Sequence, residues 1–160
     1  MYMEKLKNEG RYALENKELS KIKEFFDAGY ADDEDTYNTI RKVYNEYGYL
    51  MDTHTAVAWK VYEDFSKKNN NGYKTVILST ASAYKFAEAV ATAIGLDEGK
   101  VKVLAGAKDA ATGFDYVKAL EKETKVEVPY GLKNLEERPV LHTGVCESAK
   151  MADAVLEALK

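Results

Sequence analysis

The sequence predicts an α/β fold, a small and mainly parallel sheet flanked by helices, built as one domain over residues 1–160. Three observations lead there. The β-branched run Thr75-Val76-Ile77-Leu78 is bounded by polar residues, as a strand buried on both faces would be. It passes through a hydroxyl-rich turn, Ser79-Thr80-Ala81-Ser82, into a helical spacing of Phe86, Val90 and Ile94 that Gly95 closes. Helical and strand-like segments then alternate towards the C-terminus, the pattern of a sheet covered by helices.

Taken in order, residues 20–27 carry Ile22, Phe25 and Phe26 on one side, a helical spacing that Gly29 breaks. A second helix starts near Asp32, where Asp32, Asp33, Glu34 and Asp35 crowd the first turn. Carboxylates there accept bonds from orphan amides and suit the positive end of the helix dipole. The lack of nearby His and of spaced carboxylate ligands favours capping over a metal site. Tyr37, Ile40, Val43, Tyr44 and Tyr47 form the apolar stripe and Gly48 the stop. Tyr49-Leu50-Met51 is a short apolar link into Asp52-Thr53-His54-Thr55. The helix that follows shows Val57, Ala58, Val61, Tyr62 and Phe65 at intervals of three and four, with Trp59 alongside.

Asn69-Asn70-Asn71-Gly72 is the strongest turn signal and leads into the strand at residues 75–78. Beyond the central strand–helix unit, residues 101–104 and 140–145 read as further strands and residues 116–123 as a helix. Residues 131–137 read as a helical turn or two before Pro139. A terminal helix over residues 150–159 is expected to turn Met151, Val155, Leu156 and Leu159 inward.

Composition narrows the function. With 46% hydrophobic and 31% charged residues, the chain reads as a soluble globular protein. Its net charge of −4 offers no pull towards phosphate backbones, which argues against nucleic acid. No apolar run approaches the roughly 20 residues that cross a bilayer, and the N-terminus lacks the apolar stretch of a secretory signal. A cytoplasmic protein without membrane contact is expected. The single cysteine, Cys146, excludes an internal disulfide, fits a reducing compartment, and reads as a small packing residue before a nucleophile. No spacing matches a hydrolase triad, a zinc cluster, a Walker loop or a Gly-rich dinucleotide turn.

In open parallel sheets ligands gather at the carboxyl ends of strands, where Ser79 and Thr80 would sit. The amides of Ser82, Ala83 and Tyr84 would open the next helix and could face an anion. Spacing alone favours Ser82 as a plain N-cap. His54, in the first turn of its helix beside Asp52 and Thr55, reads from periodicity as a structural histidine before a catalytic base.

Two segments carry a more specific likeness. Tyr47-Gly48-Tyr49-Leu50-Met51-Asp52-Thr53-His54-Thr55-Ala56-Val57-Ala58 resembles the Gly-Tyr-Leu-hydrophobic-Asp-Pro-His-Thr-Ala-Val stretch of bacterial threonine synthases. Val76-Ile77-Leu78-Ser79-Thr80-Ala81-Ser82-Ala83-Tyr84-Lys85-Phe86 resembles the same family's apolar strand followed by Ser-Thr-Ala-Ser/His-Pro-x-Lys-Phe. Arg138-Pro139-Val140-Leu141-His142-Thr143 is similar to its penultimate segment. The resemblance implies the C-terminal part of a fold type II pyridoxal-phosphate enzyme, one that converts O-phospho-L-homoserine and water to L-threonine and phosphate. It further implies a cofactor site in which Thr80 meets the pyridine nitrogen, Ser79 stands beside it, and Asp52, His54 and Thr55 line the same pocket. Lys85 falls on the family's lysine and is assigned no role.

Departures from the family matter equally. Its Schiff-base lysine and its Gly/Asn-rich cofactor-phosphate loop lie earlier in the enzyme, and nothing in this sequence matches either. The resemblance thus implies no catalytic residue, no metal ligand and no threonine synthesis by this chain alone, with pyridoxal 5′-phosphate belonging to the parent enzyme. The expected partner is the N-terminal part of that enzyme, with self-association through an exposed apolar surface as another cover. Thr53, Ala83 and Ala87 stand where the family usually has proline, which would pre-set a helix's first turn. The alternative reading is a non-catalytic domain, stand-alone or redesigned, that reuses this architecture as a scaffold.

Overall fold

The computed structural model describes residues 1–69 and 72–159, so Asn70 and Asn71 of the expected turn lie outside the described residues. The chain divides into two compact units, Met1–Glu127 and Val128–Lys160. The first holds α1 (Tyr2–Glu9), α2 (Asn16–Lys23), α3 (Asp33–Tyr47), α4 (Thr53–Lys68), a 3-10 turn (Ala83–Phe86) running into α5 (Ala87–Ala93), α6 (Glu98–Ala105) and α7 (Gly113–Thr124). The second holds 3-10 turns at Leu135–Glu137 and Ser148–Lys150 and α8 (Met151–Ala158). No helix among the described residues is long and apolar enough to cross a membrane.

The expected parallel sheet is absent: the described residues contain helices and no strand. Residues 75–78 run without regular secondary structure, and Val76 is 82% exposed. An apolar run becomes a buried strand only when neighbours on both edges take up its amides and carbonyls. Such pairing is non-local, and no described segment supplies it. Residues 140–145 repeat the case, with Val140, Leu141 and Val145 exposed. Residues 101–104 fail differently, because they lie inside α6. Asp97 caps that helix by accepting from the Lys100 amide, and Gly106 ends it at φ +77°. Both signals stand in the sequence, and they outweigh a four-residue apolar run that fits either period. The helical period then buries Val101 fully and leaves Val103 82% exposed.

Helix boundaries follow their caps. Asp32 accepts from the Asp35 amide at 2.8 Å and opens α3; Gly48, at φ +67°, closes it. Ile40 and Val43 face the core from α3, joined by Thr36 and Thr39. Those threonines tolerate burial because their hydroxyls donate to the carbonyls of Asp32 and Asp35, each at 2.7 Å. Tyr47, expected in the stripe, is exposed. Helix α3 packs on α4 and α5, while α5 and α6 pack on α7. The small residues Ala87, Ala91 and Ala93 keep α5 thin enough to lie between α3 and α7. Polar ties reinforce the apolar ones. Arg41 donates to the Ala93 carbonyl at 2.8 Å, and Lys42 pairs with Glu63 at 2.7 Å. Burial alone would raise the Glu63 carboxyl, but the Lys42 ammonium and the Trp59 indole bond hold it below its usual range.

In the second unit, α8 has the predicted periodicity, yet Met151, Val155, Leu156 and Leu159 are exposed where they were expected inward. Periodicity identifies an apolar face; it does not supply a neighbour to cover it. At the other end of the chain, α1 and α2 bury none of their residues. The helix expected over residues 20–27 is displaced to Asn16–Lys23, leaving Phe25 and Phe26 exposed beyond its end.

The three positions where the resembled family carries proline share one place in the structure. Thr53, Ala83 and Ala87 are each the first residue of a helical element. The residues before Thr53 and Ala83 are extended, with ψ of 167° at Asp52 and 142° at Ser82, which a following proline requires. Phe86, before Ala87, has ψ 40° and does not meet that requirement. Thr53→Pro and Ala83→Pro are therefore expected to raise stability by about 0.4–1 kcal/mol each, by restricting the unfolded chain. Ala87→Pro should lower it. Urea melts of the three variants check this; stabilisation by all three, or by none, would contradict it.

Candidate functional site

The predicted site residues lie at the start of α4 and in the turn before the 3-10 element, all within the first unit. Asp52 begins the site. Its carboxylate caps α4, accepting from the amides of His54 at 2.9 Å and Thr55 at 3.4 Å. The side chain is fully buried, and its second oxygen accepts from the Thr55 hydroxyl. A buried carboxylate needs several donors of this kind, and the positive end of the helix dipole adds to them.

Ser79 reaches this pair from the neighbouring segment, its Oγ 3.3 Å from Thr55 Oγ1. Tyr49 closes the group, its phenol donating to Ser79 Oγ at 3.1 Å across 30 residues of sequence. His54 stands at the edge, Nδ1 3.3 Å from Asp52 Oδ1 and its ring 4.9 Å from that of Phe86. The structure thus brings together Asp52, His54, Thr55 and Ser79. Thr80 follows Ser79 as an exposed residue and makes none of these hydrogen bonds. Sequence reasoning placed Tyr49 in an apolar link and gave its hydroxyl no part.

The 3-10 turn beyond Thr80 is anchored locally. Ser82 accepts from the Tyr84 amide at 3.3 Å, the plain N-cap that its spacing favoured. Buried Tyr84 donates its phenol to the Val126 carbonyl, and burial pushes that phenol up from its ordinary pKa. Ser79 is therefore carried on a segment tethered at its far end to Val126, two residues past the end of α7. Lys85 is exposed.

Chemically the group offers hydroxyls backed by a buried carboxylate. Among the described residues its hydrogen bonds come from hydroxyls and backbone amides, none from a lysine or arginine. It can orient a polar ligand edge. It has no charged cradle for a phosphate.

Comparison with known proteins bears on what such a site serves. Residues 55–155, more than half the chain, match the family described as threonine synthase, C-terminal. Threonine synthase of Saccharomyces cerevisiae is 31% identical over 98 residues, covering 58% of this chain and 19% of that protein. Threonine synthase of Pseudomonas aeruginosa is 31% identical over 88 residues, covering 55% of this chain and 18% of its own. Threonine synthase-like 1 of Mus musculus is 36% identical over 80 residues, covering 50% and 10%. The chain therefore matches about a fifth or less of the length of these relatives. Thr55 and Ser79 fall within the matched residues, and the chain belongs to the threonine synthase C-terminal family.

Proposed function

We propose that this chain serves as the C-terminal portion of a cytoplasmic threonine synthase and does not turn over alone. The proposed reaction of the assembled enzyme converts O-phospho-L-homoserine and water to L-threonine and phosphate. The observation that carries this reading is the meeting of Asp52, Thr55 and Ser79, drawn from the two segments that resemble the family.

The group fits one edge of pyridoxal 5′-phosphate. Ser79, with Thr80 beside it, would hold the pyridine edge, while Asp52, His54 and Thr55 support that edge from the start of α4. When bound, the cofactor supplies an electron sink for carbanion chemistry. The chain's own residues orient the ring and shield Asp52 from water; they offer neither a phosphate cradle nor a lysine in hydrogen-bond contact with the group. Turnover then depends on a partner, for which the N-terminal part of the enzyme is the natural candidate. A groove along α4, lined by Val61, Tyr62, Phe65, Val76, Ile77 and Leu78, is the apolar surface that such a partner would cover.

Mixing the chain with the N-terminal remainder of a threonine synthase, then following phosphate release from O-phospho-L-homoserine, tests the proposal. Release should appear only in the mixture. Borohydride reduction of the chain alone with pyridoxal 5′-phosphate should label surface lysines without preference. Release by the chain alone, together with one stoichiometric buried label, would overturn the claim of inactivity. A folded mixture that releases nothing counts against the enzyme reading and leaves a non-catalytic scaffold.

A further inference from the structure

The second unit builds a fixed cation from its own residues. Pro129 starts a turn in which the amides of Leu132 and Lys133 both donate to its carbonyl, at 2.8 and 3.1 Å. That turn presents the carbonyls of Tyr130 and Lys133 to Arg138, whose Nη2 donates to each at 3.1 Å. The guanidinium lies over the Tyr130 ring, its central carbon 5.5 Å from the ring centroid. These three contacts settle the arginine rotamer before any ligand arrives. Among the described residues no acceptor meets Nε or Nη1 of Arg138. Glu136 and Glu137 adjoin Arg138 in sequence, yet neither pairs with it. A cleft of about 410 Å³ opens here, lined by Tyr130, Lys133, Asn134, Glu137, Arg138 and Pro139. Lys133 and Arg138 against Glu137 leave this lining one positive charge, in a chain whose net charge is −4.

We propose that the cleft binds a small oxyanion, a carboxylate or a phosphate group, on the Nε and Nη1 donors of Arg138. Such bonds are charge-assisted, and an oxyanion takes them with little rearrangement because the guanidinium is already clipped in place. The Tyr130 ring shields one face of the cation from water, which strengthens its pull on an anion. Asn134, on the cleft wall at φ +55°, can add a neutral donor through its side-chain amide. Glu137 opposes the ligand and keeps binding readily reversible. The proposal does not depend on the cofactor reading or on a partner chain.

The test titrates the full chain with inorganic phosphate and, in a second arm, with acetate, at constant ionic strength in chloride. The 15N–1H signal of Arg138 Nε reports contact in the parent, and the backbone amides of residues 130–138 report it in the variants. At least one anion should shift these signals saturably, and the tighter of the two names the group that the cleft takes. Arg138→Lys keeps the charge but loses the planar donors, and should weaken binding about tenfold. Asn134→Asp should weaken it as much, by placing a carboxylate on the wall in a residue type that tolerates the same backbone. Glu137→Gln should tighten it severalfold by removing the opposing charge. No saturable shift with either anion, or one that chloride reproduces, overturns the proposal. So does an affinity that ignores Asn134→Asp and Glu137→Gln, since both variants leave Arg138 and its two carbonyl bonds in place.

Discussion

Asp52→Ala should cost about 3 kcal/mol of stability, far more than removing an exposed helix cap. A capping carboxylate contributes about 0.5–2 kcal/mol wherever it sits. Asp52 does more, because its side chain is fully buried and accepts from two amides and the Thr55 hydroxyl. Alanine leaves the first amides of α4 without this acceptor and the buried Thr55 hydroxyl with only its 3.3 Å contact to Ser79, at about 1–3 kcal/mol for each group left unsatisfied. Relief of the desolvation of a buried charge returns part of this, which keeps the sum near 3 rather than 5. Asp32 and Asp97 are internal controls. They perform the same capping at 2.8 Å from exposed positions, so Asp32→Ala and Asp97→Ala should each lose about 1 kcal/mol. Urea unfolding with a slope of about 2 kcal/mol/M would place the Asp52→Ala midpoint roughly 1.5 M below the parent. Equal midpoints for all three variants would show that Asp52 is only a cap.

These caps mark where the sequence was most legible. Asp32, Gly48 and Ser82 each perform the terminal role that local chemistry assigns them, because a cap bonds to residues only two to four positions away. Legibility falls as the deciding contact moves further along the chain. The run at 75–78 has the composition of a strand, but a strand is defined by neighbours that composition does not reveal. Residues 101–104 are legible through Asp97 and Gly106, local caps that outweigh a brief apolar run compatible with either period. At the site, resemblance selected Asp52, His54, Thr55 and Ser79, which the structure gathers. Tyr49 was missed because its hydroxyl finds Ser79 only through the fold. Thr80, which the resemblance implies for contact with the ring, is exposed, and its neighbour Ser79 is bonded to the buried carboxylate's network.

The second large effect separates an apolar face that is covered from one that is not. Leu120 on α7 is fully buried where α5 and α6 pack against that helix, and Leu120→Ala should cost about 3 kcal/mol. Leu156 on α8 has the same side chain and an equally regular apolar period, but it is 62% exposed. Leu156→Ala removes little surface that folding had hidden, so stability should change by no more than about 0.5 kcal/mol. Helical circular dichroism during urea unfolding reads both variants. The comparison becomes sharper once the proposed N-terminal partner is added. Any partner that covers the α8 face makes Leu156→Ala costly in the complex while it stays neutral in the chain alone. A loss of 2 kcal/mol or more from Leu156→Ala in the chain alone would mean that this face is already buried in solution, with a second copy of the chain as its cover.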